Sequence, residues 1–212
     1  GTCYKQRGQE PAIQLGHELV SGEVKAARVA EWTAFALANP QGALYCFRGG
    51  LRSRISQQWL YETSGILYPR IHGGYKALRR LCLATLEQLP LQLSLLVLSG
   101  RTGVGKTRLL QTLPNALDLE ALAHHRGSAF GAYPSPQPTQ ISFENAVAIR
   151  LLQQQLQGFR ALIVEDESRT IGSVHLPSAL YERLSQAPVV VMQVPDHERI
   201  ALSFNEYVVE QL

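Results

Sequence analysis

The chain has 212 residues, a formal net charge of +3, and 45% apolar residues, which is ample for packed cores in one large or two small domains. No apolar run approaches the roughly 20 residues of a membrane span; the longest is LSLLVL at 93–98. Three cysteines, Cys3, Cys46 and Cys82, form neither a disulfide framework nor a paired metal motif, so a soluble protein in a reducing, cytoplasmic setting is expected. The opening GTCYKQRGQE lacks the apolar core of a signal peptide.

In chain order, GEVKAARVAEWTAFALAN (22–39) carries apolar residues at helical spacing and stops at the breaker run NPQG. ALYCF then reads as a short buried strand, and SRISQQWLYETSG (53–65) as a helix with Ser53 as N-cap and Gly65 as its stop. IHGGYKALRRLCLATLEQLPLQ supplies a Gly-rich turn and a helix ending near Pro90. From Leu93 the pattern restarts with strand LSLLVLSG, a Gly-rich loop, helix KTRLLQTLP, and an irregular polar stretch to about Pro138. Helix FENAVAIRLLQQQLQGF, strand ALIVEDES, helix PSALYERLSQ, strand PVVVMQVP and helix HERIALSFNEYVVEQL complete the order. Strands alternating with helices predict an α/β fold with a parallel sheet covered on both faces.

The stretch GRTGVGKT satisfies G-x-x-x-x-G-K-[ST] through Gly100, Gly105, Lys106 and Thr107. It follows an apolar strand and opens a helix, the setting a P-loop requires. Gly100, Thr102, Gly103 and Gly105 can turn backbone amides around a phosphate or diphosphate, with Lys106 reaching the terminal phosphate. Thr107 can offer its hydroxyl to Mg2+, and the acidic end of ALIVEDES supplies Glu165 and Asp166, with Glu167 beside them, to complete a metal site. No base-recognition motif accompanies the loop, so the diphosphate need not belong to a nucleotide.

Upstream, CFRGGLR places Cys46 at the end of the ALYCF strand with Arg52 following as C-x(5)-R. A thiolate there can sit among backbone amides at a helix mouth, with its pKa drawn down. Arg48 and Arg52 can grip an oxyanion bidentately beside it, and Gly49 and Gly50 let the backbone curl close. Cys82, in the apolar LCLATL, reads as core. Lys76, Arg79 and Arg80 of GGYKALRR, and His125, Arg126 and Ser128 of HHRGSAFG, are candidate contacts to the phosphates of an anionic partner.

YCFRGGLRS resembles a rhodanese-type active loop, and its pairing with GRTGVGKT on one chain resembles the tRNA 2-selenouridine synthase family. GTCYKQRGQEPAIQLGHELV, GGYKALRR, DLEALAHHRGSAFG, FENAVA and EDESRTIG are similar to that family's segments, so the likeness runs through the whole chain. It implies the C-terminal portion of a rhodanese-like domain over 1–90, with its N-terminal strands outside the sequence, then a P-loop α/β domain over 91–212 that continues further. It implies a cytoplasmic enzyme that alkylates wobble 2-thiouridine of tRNA with geranyl diphosphate and then exchanges the geranylthio group for selenium from selenophosphate. A selenophosphate-supplying partner follows from that chemistry. The competing readings are a P-loop kinase or NTPase fused to a rhodanese-like sulfur carrier, a C-x(5)-R phosphatase, and an RNA-binding nucleotide sensor with an inert cysteine.

Overall fold

The computed structural model describes residues 2–127 and 131–207. The first part is helical: α1 (Thr2–Arg7), α2 (Gln9–Leu19), α3 (Gly22–Ala38), α4 (Leu51–Ser64) and α5 (Gly74–Gln92). Then follow β1 (Ser94–Ser99), α6 (Lys106–Thr112), β2 (Ala116–Leu117), α7 (Leu119–Ala123), α8 (Gln140–Leu156) and β3 (Ala161–Glu165). A hairpin, β4 (Thr170–Ile171) with β5 (Val174–His175), precedes α9 (Ser178–Leu184), β6 (Val189–Val191) and α10 (Asp196–Tyr207). The chain divides into two compact units, one up to Leu78 and one from Arg79, the division falling inside α5.

In the second unit four strands form a sheet in the order β2-β3-β1-β6, and each pairing within that sheet is parallel. Side chains alternate along β1, as the two-residue period of a strand requires. Leu95 and Val97 enter a core with Leu162, Val164, Phe143, Val147, Leu151 and Leu180, while Leu98 joins Leu110 and Ala116 with Ile163 and Met192 against them. The sheet is thus covered on both faces, as the alternating element order predicts. Cys82, Leu86 and Leu89 of α5 also enter the larger core.

The first unit holds a smaller core of Ala36, Leu60 and Tyr68, with Trp32, Leu44 and Ile66 packed on it. Tyr68 also donates its hydroxyl to the Asn39 carbonyl at 2.7 Å, tying the end of α3 to the segment after α4. The strand expected at ALYCF is reduced to one parallel bridge between Leu44 and Arg70. Leu44 N–H donates to the Pro69 carbonyl at 2.8 Å and the Leu44 carbonyl accepts from Ile71 N–H at 3.0 Å, the two bonds of that bridge.

Boundaries differ where tertiary contacts override local signals. α5 runs two residues past Pro90, and the last-turn carbonyls of Pro90 and Leu93, just beyond the helix, accept from the Arg183 guanidinium at 3.3 and 3.2 Å. α8 starts at Gln140, because the Thr139 hydroxyl caps it by accepting from Ser142 N–H at 3.2 Å. The stretch read as irregular up to Pro138 contains β2 and α7. The last helix is described from Asp196 to Tyr207, and its expected continuation lies outside the described residues. No helix among the described residues is long and apolar enough to cross a membrane.

Candidate active site

β1 delivers the chain to the phosphate loop at its C-terminal end, where ligands of open α/β sheets bind. Gly105, the N-cap of α6, has φ 86 and Gly103 has φ 80, left-handed values that glycine adopts without a Cβ penalty. The Lys106 Nζ donates to the Gly100 carbonyl at 2.7 Å, folding back across the loop. Gly100, Thr102, Gly103, Gly105, Lys106 and Thr107 all line one cavity of about 500 Å3. Arg126, Asp118, Glu120, Asp166, Glu167 and Tyr133 form other parts of its wall.

The parallel register sets the acids beside this loop. Leu98 pairs with Glu165, Asp166 N–H donates to the Leu98 carbonyl at 3.0 Å, and the Ser99 hydroxyl donates to Asp166 Oδ2 at 2.6 Å. Glu165 is fully buried and turns toward α7, accepting from Glu120 N–H at 2.5 Å while its other oxygen has no partner. Carboxylate oxygens of Glu120, Glu165 and Glu167 lie within 4.8 Å of one another. A Cβ on Gly127 would collide with both Glu120 and Glu167, so glycine there lets the loop close over the pair.

Desolvation raises the Glu165 pKa to about 9, reinforced by the charges of Asp118 and Glu120. Desolvation and the neighbouring Glu120 raise Glu167 to about 8, and burial also raises Glu120. Carboxylates packed this closely must hold protons or share a cation. Their hard oxygen donors fit Mg2+. The sequence assigns a metal to Thr107, Glu165 and Asp166; the structure gathers Glu165 with Glu120 and Glu167, and places Asp166 on Ser99 and in the cavity wall beside Thr107. The D-L-E opening of α7 was the signal for Glu120: Asp118 caps that helix by accepting from Ala121 N–H at 2.8 Å, and Glu120 follows two residues later.

In the first unit, Cys46 sits before the mouth of α4 with its S–H donating to the Ser53 hydroxyl at 3.3 Å. Tyr75 N–H donates to the Cys46 carbonyl at 3.0 Å and Lys76 N–H to the Phe47 carbonyl at 3.1 Å, so the start of α5 pins the loop. Gly74 has φ 59, and a Cβ on it would land on the Cys46 carbonyl oxygen. Arg70 donates to the Gly49 carbonyl at 2.5 Å, a tie that no local motif announces. Desolvation pushes the Cys46 thiol up, but its hydrogen bond with the Ser53 side chain and those from the amides of Ser53, Arg48 and Gly50 outweigh it and lower the pKa to about 7. Arg48 and Arg52 are exposed, and Arg52 and Cys46 border a largely apolar cavity of about 480 Å3 that also meets Trp32, Phe35 and Tyr68.

The basic candidates separate. Lys76 and Arg80 are exposed, and the Lys76 ammonium lies 5.6 Å from the Phe47 ring centre. Arg79 is ion-paired with Glu144 and donates to Asn145 at 2.7 Å, fastening α5 to α8. Arg126 stands over the Tyr133 ring at 4.7 Å, and Tyr133 stacks on His124 at 4.5 Å. His125 pairs with Ala132 in a single antiparallel bridge and keeps its Nδ1 buried. Ser128 lies outside the described residues.

A parallel sheet, a glycine-rich phosphate loop opening a helix, and acids at the end of the neighbouring strand define a P-loop α/β protein. Residues 93–212 match the family described as "tRNA 2-selenouridine synthase AAA domain". The chain belongs to the tRNA 2-selenouridine synthase family. It is 53% identical over 210 residues to a tRNA 2-selenouridine synthase of Bordetella bronchiseptica, covering 99% of this chain and 57% of that protein. A protein of the same name from Cupriavidus pinatubonensis is 51% identical over 98% of this chain and 57% of its own, and one from Hahella chejuensis is 53% identical over 100% and 56%. The chain therefore spans a little over half the length of these curated relatives. No solved structure matches it.

Proposed function

We propose that the chain carries the reacting groups of a cytoplasmic enzyme that converts wobble 2-thiouridine of tRNA to 2-selenouridine through an S-geranyl intermediate. The pairing of a phosphate-loop cavity with a thiol of lowered pKa on one chain of this family carries the reading. In the first step Gly100, Thr102, Gly103, Gly105, Lys106 and Thr107 hold the diphosphate of geranyl diphosphate while the tRNA sulfur attacks the prenyl carbon and diphosphate leaves. Thr107 with Asp166, or the Glu120, Glu165 and Glu167 group, would hold Mg2+, which would supply positive charge to the departing diphosphate.

In the second step selenophosphate, delivered by a partner that makes it, binds through its phosphate between Arg48 and Arg52 beside Cys46. Its selenium then attacks C2 of the modified uridine, geranylthiolate leaves, and water cleaves the P–Se bond to release phosphate and the 2-selenouridine. Lys76, Arg80 and Arg126 take the tRNA phosphates, with His125 and Ser128 as further candidate tRNA contacts; Arg79 serves more as a structural tie, given its partners on α8.

The lining of the phosphate cavity favours one other reading. Its walls are dominated by charged and hydroxyl groups, which suits a nucleotide better than a prenyl chain and keeps a P-loop kinase or NTPase in contention. Calorimetry with geranyl diphosphate, ATP and pyrophosphate decides between them: the proposal expects geranyl diphosphate to bind more tightly than ATP, and Lys106→Ala to weaken pyrophosphate at least about tenfold through the lost charge-assisted contacts. Nucleoside mass spectrometry, in a protein of the relatives' full length carrying this sequence, tests the steps. Lys106→Ala is expected to block geranylation, whereas Cys46→Ser accumulates geranylated tRNA with little 2-selenouridine. Unchanged selenouridine from Cys46→Ser removes the thiol from the mechanism.

A further inference from the structure

We propose that Ser53 is the positioning residue of the cysteine loop: its hydroxyl holds the Cys46 thiol as an acceptor and turns to donate to the thiolate once the proton has gone. Ser53 lies in the first turn of α4 and is only 2% exposed. Its oxygen accepts the Cys46 S–H at 3.3 Å, and its own proton goes to the Gly50 carbonyl at 2.9 Å. One hydroxyl has one proton, so this arrangement is fitted to the neutral thiol. When the thiol proton leaves to solvent, the sulfur becomes an acceptor facing a lone pair, and the hydroxyl must rotate.

The rotation is inexpensive because of what it leaves behind. The Gly50 carbonyl also accepts from Arg54 N–H at 3.2 Å, and Gly50 is exposed, so losing the serine orphans no buried group. What it gains is a donor to an anion, the stronger class of hydrogen bond. The amides of Arg48, Gly50 and Ser53 are fixed by the backbone and cannot follow the sulfur's change of role. The Ser53 hydroxyl is the one group among these that can. The sequence signal is the residue after Arg52, which local reading assigns to helix capping alone.

The functional meaning rests on Cys46 being the working thiol, but the test reads the sulfur directly. The pH profile of Cys46 alkylation by iodoacetamide is followed by mass spectrometry for wild type, Ser53→Ala and Ser53→Thr. Ser53→Ala is expected to raise the apparent pKa by about one unit, slowing alkylation at pH 7 about fivefold, while the rate on the alkaline plateau stays within about twofold. Ser53→Thr, which keeps the hydroxyl, restores the wild-type midpoint. A Ser53→Ala midpoint equal to wild type overturns the proposal, as does a threonine variant that tracks alanine. An independent measurement needs no change at Ser53: in a Cys3→Ser background, the Raman difference between pH 5.5 and 8.5 isolates the Cys46 S–H stretch. A hydrogen-bonded thiol band supports the proposal and a free-thiol band overturns it. Normal selenation by Cys46→Ser would sink the role of the cysteine and leave the Ser53 coupling standing, so the two failures are separable.

Discussion

At Cys46 and Cys82 the same side chain meets opposite surroundings. Desolvation raises the Cys82 thiol, with Arg79 only partly offsetting it, and the residue is buried among apolar neighbours. At Cys46 desolvation is outweighed by donors aimed at the sulfur, and the pKa falls to about 7. The thiolate is the nucleophile, so reactivity follows the deprotonated, accessible fraction. Cys46 is expected to reach half its maximal alkylation rate near pH 7, with Cys82 at least about tenfold slower at that pH. Peptide mapping after a short iodoacetamide pulse checks this, and equal labelling of the two would show that the loop does not cradle the sulfur.

At the scale of elements, β3 and α7 meet through carboxylates. Glu165 at the end of β3 accepts from the Glu120 amide of α7, and Glu167 completes the group. All three pKa values are raised in the fold, so the native protein holds protons that the unfolded chain releases above about pH 4.3. Stability is then full below that pH and declines as pH rises toward 8 to 9, where Glu167 and Glu165 must ionise together. Glu167→Gln is a neutral isostere and removes one of those protons from the balance. The variant is expected to show a flatter fall in Tm between pH 5 and 9 and a higher Tm than wild type at pH 8, both read by calorimetry. Parallel Tm curves for the two proteins would mean that the carboxylates do not interact.

Across the whole molecule, the phosphate cavity depends on a sheet held by helices on both faces. Phe143 of α8 is fully buried in the larger core, alongside Val147 and Leu151, and α8 is also fastened to α5 through Arg79. Phe143→Ala leaves a cavity that close-packed neighbours cannot fill, at a cost of about 3 to 5 kcal/mol. Urea denaturation followed by circular dichroism is expected to show that loss in the unit that begins at Arg79, and a change below about 1 kcal/mol would mean that the site collapses freely.

The sequence by itself determined the parts governed by local chemistry. Apolar runs of strand length, helical spacing and breaker residues set the order of the major strands and helices after Leu93. G-x-x-x-x-G-K-T set the phosphate loop, because glycine takes the left-handed backbone values found at Gly103 and Gly105 without a Cβ penalty. The segments around YCFRGGLRS and GRTGVGKT carried the family likeness that the comparisons bear out. Tertiary structure alone decided what local spacing does not encode. ALYCF has the composition of a strand yet, among the described residues, forms a single bridge, since pairing is set by which segment the fold brings alongside and not by composition. Arg79 sits with Lys76 and Arg80 in one basic run but is committed to Glu144. Glu120 lies 45 residues from Glu165, and only the parallel register of β1, β2 and β3 brings α7 to the acids beside the phosphate loop. Ser53 reads as a helix cap in the sequence, and the fold gives its hydroxyl to the cysteine, because a side chain's partner is fixed by where the backbone closes in space.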